Sequence, residues 1–341
     1  MKSVAIKGVK EFEIKEIDEP IIDHKHVIID VLKAGICGSD IHNYESGNSG
    51  GLVMGHEFCG IVSDPGDRAD LAIGDKVTAL PISPCGECDA CRSGNHQYCA
   101  STWTHAVGLA LDNPGAFTRR IAVRSDMVVK VDAQADPKAI AMVEPTAVGL
   151  HAIHLADIKI GDKVLVVGGG IIGLVSAMLA KKEGASSVVV SETNPNRGKK
   201  AVDLGVADAW LDAREEDFLA KAQTISGNGF DVVIECCGNA PAVSSAIMAA
   251  KAGGKVILVG VATAPISIPT VVAVMREIEL KGAIAYTVDE FKTCAELIAN
   301  GRLDVLKFVD REIGLDDVQA AFDNLYSGNS TAVKIIVDPN K

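Results

Sequence analysis

A chain of 341 residues is long enough for about two domains, and its 48% hydrophobic and 23% charged residues are an ordinary globular balance. A net charge of -12 argues against non-specific binding to nucleic acid or to an anionic membrane surface. With aromatics at only 4%, stacking platforms for single strands are also unexpected.

The first residues, Met1 to Lys7, contain no apolar core and no cleavage site of a secretory signal, so a cytoplasmic protein is expected. Residues 1–140 read mainly as strands. Val27 to Leu32 and Ile121 to Val123 are rich in β-branched residues, and turn signals such as Asp64-Pro65-Gly66-Asp67 are frequent. A compact, β-rich, partly open barrel is the expectation. Within this stretch lie Gly35-Ile36-Cys37-Gly38-Ser39-Asp40-Ile41-His42 and Gly55-His56-Glu57-Phe58-Cys59-Gly60, and Glu144 follows before Pro145. Cys37, His56, Glu57 and Glu144 are residue types that bind metal, but they are far apart in sequence and spacing alone does not unite them.

Cys85, Cys88, Cys91 and Cys99 are different. Short spacers let four thiolates in one loop reach a single tetrahedral ion, the pattern of a structural zinc site. An iron–sulfur cluster also takes four cysteines, but the last spacing differs from a ferredoxin run and no proline follows Cys99. The total of nine cysteines is odd, which argues against a disulfide framework.

Near residue 145 the pattern changes. Apolar runs at Val164–Val167, Ser187–Val190, Val232–Ile234, Val256–Val259 and Ile278–Ile284 alternate with helix-length segments at Ile171–Lys182, Arg197–Leu204, Asp217–Thr224 and Val243–Ala250. Alternating βα units predict a doubly wound parallel sheet with helices on both faces. Glu290–Ala299 reads as a helix and Ala332–Val337 as a closing strand. The uncharged stretch from Val164 to Ala180 nears the length of a membrane span, but its glycines suit a buried strand, turn and helix better, so no membrane association is expected.

That stretch holds Gly168-Gly169-Gly170-Ile171-Ile172-Gly173, a G-x-G-x-x-G between an apolar strand and a helix. Gly168 would make the turn, Gly170 would let a pyrophosphate approach, and Gly173 would allow close helix–strand packing. The backbone N–H groups at Ile171 and Ile172 would face the phosphates. Glu192 stands where an acidic residue should meet the adenosine ribose hydroxyls, which favours NAD over NADP. Arg197 pulls the other way, because it could meet a 2′-phosphate or stack on adenine.

With these motifs the chain resembles the zinc-containing medium-chain dehydrogenase/reductase family, nearest to its sorbitol-like polyol and butanediol dehydrogenases. The likeness runs nearly end to end. It includes G-H-E-x-x-G followed by Gly66, the four-cysteine lobe, Glu144-Pro145, the glycine fingerprint, and Asp231 to Cys236 before a glycine. The resemblance implies a GroES-like β-rich catalytic domain, residues 1–146 and 288–341, with a Rossmann domain at 147–287 inserted in it. It implies NAD and two zincs per chain, one structural and one catalytic in a cleft between the domains, an alcohol substrate, and a homodimer or homotetramer.

By position, Cys37 and His56 would be catalytic zinc ligands. The third would be Glu57, as in sorbitol-like enzymes, or Glu144, as elsewhere in the family, with one binding directly and the other exchanging with it. Ser39 matches the start of a proton relay, His42 its solvent end, and Asp40 a carboxylate that orients His56. The implied activity is hydride transfer between a secondary alcohol (a diol, polyol or sugar acid) and NAD. A threonine or amino-alcohol dehydrogenase is an alternative, as is a non-catalytic regulatory relative. The full set Cys37, Ser39, His42, His56 and Glu57 argues against the last.

Some positions depart from the sorbitol-like pattern. The loop between His42 and His56 is short and contains Gly47, Gly50 and Gly51, which suggests a flexible, open pocket rim. Ala285-Tyr286 stands where an Arg-Tyr pair binds substrate hydroxyls, and Asn43 replaces a tyrosine. After Gly115-Ala116-Phe117, the pair Arg119-Arg120 replaces an acidic–aromatic continuation. Losing a polar contact to one hydroxyl can shift discrimination by orders of magnitude, so the pocket need not favour sorbitol, and a smaller diol, another secondary alcohol or a sugar acid stays open.

Overall fold

The computed structural model describes residues 1–328 and 330–341. Its strands in chain order are β1 (Lys2–Gly8), β2 (Glu11–Glu16), β3 (His26–Gly35), β4 (Glu57–Asp64), β5 (Lys76–Ala79), β6 (Arg120–Arg124), β7 (Val128–Lys130), β8 (Lys163–Val167), β9 (Ser187–Glu192), β10 (Ala209–Asp212), β11 (Phe230–Glu235), β12 (Ala250–Leu258), β13 (Glu279–Gly282), β14 (Val309–Gly314) and β15 (Lys334–Asp338). The helices are α1 (Gly38–Ser46), α2 (Asp89–Arg92), α3 (Pro137–Ile140), α4 (Val143–Ala156), α5 (Ile171–Glu183), α6 (Pro195–Asp203), α7 (Phe218–Ser226), α8 (Ala240–Ala249), α9 (Thr270–Met275), α10 (Val288–Ala299) and α11 (Val318–Tyr326). They form two compact units, residues 1–145 with 286–341, and residues 146–285.

The first unit is built on a seven-stranded mixed sheet, β14-β15-β3-β4-β5-β7, with β6 also paired to β3, and on the hairpin β1-β2. The β-branched run expected at Val27 to Leu32 is the middle of β3, where Val27, Ile28, Ile29 and Val31 are all buried. Strand β3 pairs with β4, β6 and β15, so its residues are covered from several sides. The amino-terminal region is less purely β than expected, because α1 follows β3 directly. Its start is capped by Asp40, whose Oδ2 accepts the Cys37 N–H at 2.9 Å, and it ends at Gly47, which has the left-handed φ of 62°.

The second unit is a six-stranded sheet in the order β10-β9-β8-β11-β12-β13, and every pairing in it is parallel. The strand order reverses between β8 and β11, the place where such sheets bind ligands at their carboxyl ends. Leu165, Val189, Phe230, Val233 and Val256 fill the core, and Ala246 and Ile247 of α8 pack on it. This is the GroES-like and Rossmann pairing implied by the resemblance. The candidate span at Val164–Ala180 is β8, the glycine turn and the start of α5, and no helix among the described residues is long and apolar enough to cross a membrane. Sequence periodicity missed β10, which is short and half-buried.

Candidate active site

The site begins with a missing side chain. In the antiparallel pairing of β3 with β4, Gly35 lies opposite Glu57. A Cβ on Gly35 would stand 2.0 Å from Glu57 Oε2, so only glycine leaves room for that carboxylate. On the other side of β3, β15 pairs Ile336 with Gly35, and Lys334 reaches in from the start of that strand. Its Nζ donates to Glu57 Oε2 at 2.5 Å and to the Ile36 carbonyl at 2.8 Å, and both side chains of this ion pair are wholly buried. Glu57 Oε1 is buried with no hydrogen-bond partner.

The chain passes from β3 to Cys37, and His56 precedes β4. Ligand atoms of Cys37, His56 and Glu57 all lie within 4.8 Å of one another. Asp40 and His56 are also buried. Asp40 Oδ1 is 3.5 Å from His56 Nδ1, longer than a hydrogen bond, and neither atom has another hydrogen-bond partner. Ser39 Oγ donates to Cys37 Sγ at 3.3 Å, and Ser39 and His42 are exposed on α1. Glu144, from the start of α4, lies outside the close group of three, and its Oε1 accepts from Tyr286 Oη at 2.9 Å.

The electrostatics suit a cation. Burial pushes the Glu144 carboxyl up to about 7, with Glu57 adding to the rise and His56, Tyr286 and Lys334 opposing it. Burial also raises Asp40 above the usual carboxylate range. For His56, burial disfavours the charged form, but Cys37, Asp40 and Glu144 outweigh it and hold the imidazole well above its ordinary value. One thiol and three carboxyl groups therefore converge where Lys334 is the buried lysine. A thiolate, an imidazole and a carboxylate oxygen form a donor set that zinc accepts, and an uncommitted Glu57 Oε1 fits the role of ligand.

The four-cysteine lobe passes the same test more simply. Among the described residues every cysteine is free of a disulfide. Cys91 Sγ is 3.9 Å from Cys85 Sγ and 3.6 Å from Cys88 Sγ, and the four sulfurs lie within 4.8 Å of one another. Zinc–sulfur bonds in a tetrahedron would set the sulfurs roughly 3.8 Å apart. A multi-iron cluster, with each thiolate on a different iron, would hold them further apart. Backbone N–H groups of Cys85, Gly86, Cys88 and Ser101 point at Cys99, Cys91, Cys85 and Cys99 respectively, which stabilises thiolate charge.

In the second unit the glycine fingerprint forms the turn from β8 to α5. Gly168 has φ 107°, and a Cβ on Gly173 would stand 1.9 Å from the Gly168 carbonyl oxygen. At Gly170 a Cβ would meet nothing within 4 Å, so open space lies before the start of α5, where Ile171 and Ile172 begin the helix. Glu192 ends β9 beside this turn, but its carboxylate is more committed than the sequence suggests. Oε2 accepts the Gly169 N–H at 2.7 Å, while Oε1 accepts the N–H groups of Thr193 and Asn194 at 2.7 and 2.8 Å and the Thr193 hydroxyl at 3.1 Å. Only Oε2 retains clear acceptor capacity toward a ribose. Arg197 is half-buried on α6.

Comparison with known proteins agrees with this architecture. Residues 23–133 match the family model of the alcohol dehydrogenase GroES-like domain, and residues 172–300 match that of the zinc-binding dehydrogenases. The sorbitol dehydrogenase of Bacillus subtilis is 30% identical over 100% of this chain and 98% of its own length. The chain belongs to the zinc-containing medium-chain dehydrogenase/reductase family. The 2-dehydro-3-deoxy-L-galactonate 5-dehydrogenase of Pseudoalteromonas atlantica is 33% identical, with 98% of this chain and 97% of that protein covered. The crystal structure of 2R,3R-butanediol dehydrogenase from Bacillus subtilis superposes with a TM-score of 0.88 at 29% identity, with 99% of each chain covered. This dehydrogenase is thus a zinc-dependent oxidoreductase of the polyol and diol branch that uses a nicotinamide dinucleotide.

Several of its sequence departures have structural roles. The glycine-rich loop before His56 is tied down. Gly47 abuts the Val9 backbone, Gly51 N–H bonds to the Ile6 carbonyl, and Ile6 N–H bonds to that of Leu52. The loop expected to be flexible is therefore anchored to β1. Arg120 pairs with Asp30 and Glu19 away from the site, and Arg119 is exposed. Tyr286 is buried against Glu144. Sequence reasoning missed Lys334 and Gly35. A lysine inside the apolar run Val333 to Val337 was the available signal, because a charge in a central strand needs a buried partner.

Proposed function

We propose that this dehydrogenase oxidises the secondary alcohol of a diol, polyol or sugar acid with NAD, in a catalytic unit of residues 1–145 and 286–341, with residues 146–285 binding the dinucleotide. The observation that carries the proposal is the group of half-buried Cys37 with buried His56 and Glu57, whose ligand atoms lie within 4.8 Å of one another while Glu57 Oε1 is left without a hydrogen-bond partner. These three residues would hold the catalytic zinc, with Glu144 exchanging at the site, and Cys85, Cys88, Cys91 and Cys99 would hold a structural one. The catalytic zinc supplies Lewis acidity that lowers the pKa of the substrate hydroxyl, and NAD supplies the hydride acceptor.

The protein's own residues do the rest. Lys334 anchors one Glu57 oxygen and leaves the other for the metal. Asp40, facing His56 Nδ1, keeps the proton on that nitrogen and so leaves Nε2 free to ligate. Ser39 Oγ accepts the hydroxyl proton, and His42, three residues on along the exposed face of the same helix, passes it to solvent. The Glu192 carboxylate beside the glycine turn would disfavour a 2′-phosphate and favour NAD over NADP, and Arg197 would stack on the adenine.

Cys37→Ser is expected to remove one of two zincs per chain and nearly all NAD reduction, with folding retained. Full zinc content with normal turnover would sink the assignment. A panel of diols, polyols, sugar acids and threonine identifies the substrate class, and a clear preference for threonine would favour the amino-alcohol reading.

The same proposal includes a cytoplasmic homo-oligomer paired through β13. This strand ends the parallel sheet, exposed along its whole length, and Val271, Val274, Met275 and Ile284 near it are exposed too. Antiparallel pairing with a second copy about Leu280 would set each Glu279 against the other copy's Lys281, so the edge is self-complementary in charge.

A further inference from the structure

Glu235 is a buried carboxylate that the chemistry above does not use. It ends β11, in register with Val167 of β8 and Leu258 of β12, so it stands where three parallel strands release their loops. The side chain is wholly buried. Its Oε1 accepts the N–H groups of Cys237 and Gly238, at 2.7 and 3.0 Å. Its Oε2 is buried without a hydrogen-bond partner. Burial raises its pKa, against the two N–H bonds. A carboxylate held here with one oxygen unsatisfied is costly, and such a group calls for an explanation.

The loop it holds gives one. Cys237 and Asn239 line a cavity of about 170 Å³ together with Gly168, Glu192, Pro241 and Ser245. Cys236 N–H bonds to the Val167 carbonyl at 2.9 Å, and a Cβ on Gly168 would stand 2.8 Å from Cys237 Sγ. This loop therefore packs against the first glycine of the phosphate turn. On its other side it meets the next loop, since a Cβ on Gly260 would stand 2.1 Å from Gly238 N. The Glu235 carbonyl accepts the N–H groups of both Val259 and Gly260. Through one residue, backbone and side chain together, the wall of the nucleotide cavity is set relative to the glycine turn.

We propose that Glu235 is a positioning residue for the dinucleotide, acting through the Cys237–Asn239 wall by accepting the two loop N–H groups at Oε1. The inference rests on the dinucleotide reading of the glycine turn. Removing the acceptor leaves the Cys237 and Gly238 N–H groups without the hydrogen bond that ties this loop to the end of β11 and lets the wall shift, whereas an amide oxygen can replace Oε1.

The test measures NADH binding by fluorescence and steady-state kinetics on the zinc-loaded enzyme. Glu235→Leu, similar in size but without an acceptor, is expected to raise the NADH Kd and the KM for NAD about tenfold. Its kcat at saturating NAD and its KM for the alcohol should stay within about threefold of wild type. Glu235→Gln should restore NADH affinity to within about threefold, because it keeps the acceptor. If Glu235→Leu does not fold, Glu235→Asp, which withdraws the carboxylate from the loop, is expected to show the same selective loss of NADH affinity. Folded Leu or Asp variants that bind NADH like wild type would overturn the proposal, as would a Gln variant no better than Leu. A wild-type enzyme that bound no NADH would instead overturn the dinucleotide reading.

Discussion

Gly35 carries no side chain, and into that space fits the Glu57 carboxylate, held from the far side of the strand by Lys334. This three-residue arrangement determines which Glu57 oxygen is free. Lys334→Met would remove the buried partner of Glu57 Oε2. It is expected to lower stability by about 3 kcal/mol in urea unfolding and to weaken catalytic zinc retention against a chelator. Unchanged stability and zinc content would remove Lys334 from the site. In the second unit, Gly173→Ala would drive a methyl group into the Gly168 carbonyl, 1.9 Å away. NADH binding, followed by fluorescence, should fall by at least about tenfold, since the turn must open to admit the methyl group.

At the scale of elements, short segments are held by different kinds of local support. The lobe around α2 holds its cysteine sulfurs at metal-binding separations. Cys91→Ser is expected to lose one zinc per chain by metal analysis and to expose residues 85–113 to protease cleavage, while Cys37 and His56 keep theirs. Protease resistance equal to wild type would argue against a structural ion. The carboxylates of exposed Asp70 and half-buried Asp212 show a second kind of local support. Hydrogen bonds from Arg68 and Arg214 pull their pKa values from 3.8 to about 2. Because the folded values are depressed, this support is present above pH 3.8 and is lost as the pH falls toward 2. Arg68→Gln and Arg214→Gln should therefore lower stability slightly at pH 6 and much less near pH 2, as read from denaturant midpoints.

At the scale of the molecule, an open sheet edge beside exposed apolar side chains is a liability unless it is covered. Lys281→Glu would set glutamate against glutamate twice across the proposed pairing and should dissociate the oligomer in light scattering. Adding Glu279→Lys restores opposite charges and should restore assembly. If neither change alters the mass in solution, β13 is not the interface.

The sequence by itself determined the elements whose signal is local. The βα alternation, the glycine turn and the four cysteines within one loop could all be read in chain order, because periodicity, conformational freedom and ligand spacing act over a few residues. Periodicity also foretold the closing strand near Ala332, which forms as Lys334–Asp338. Only the tertiary structure brought Cys37, His56 and Glu57 together, because their proximity depends on β3 and β4 pairing in register. It alone revealed Lys334, whose partner is nearly the whole chain away, and it alone showed that backbone N–H groups occupy most of the Glu192 carboxylate. A charge can be read from a sequence, but which charge faces it in the folded core is decided by how strands pair across the sheet.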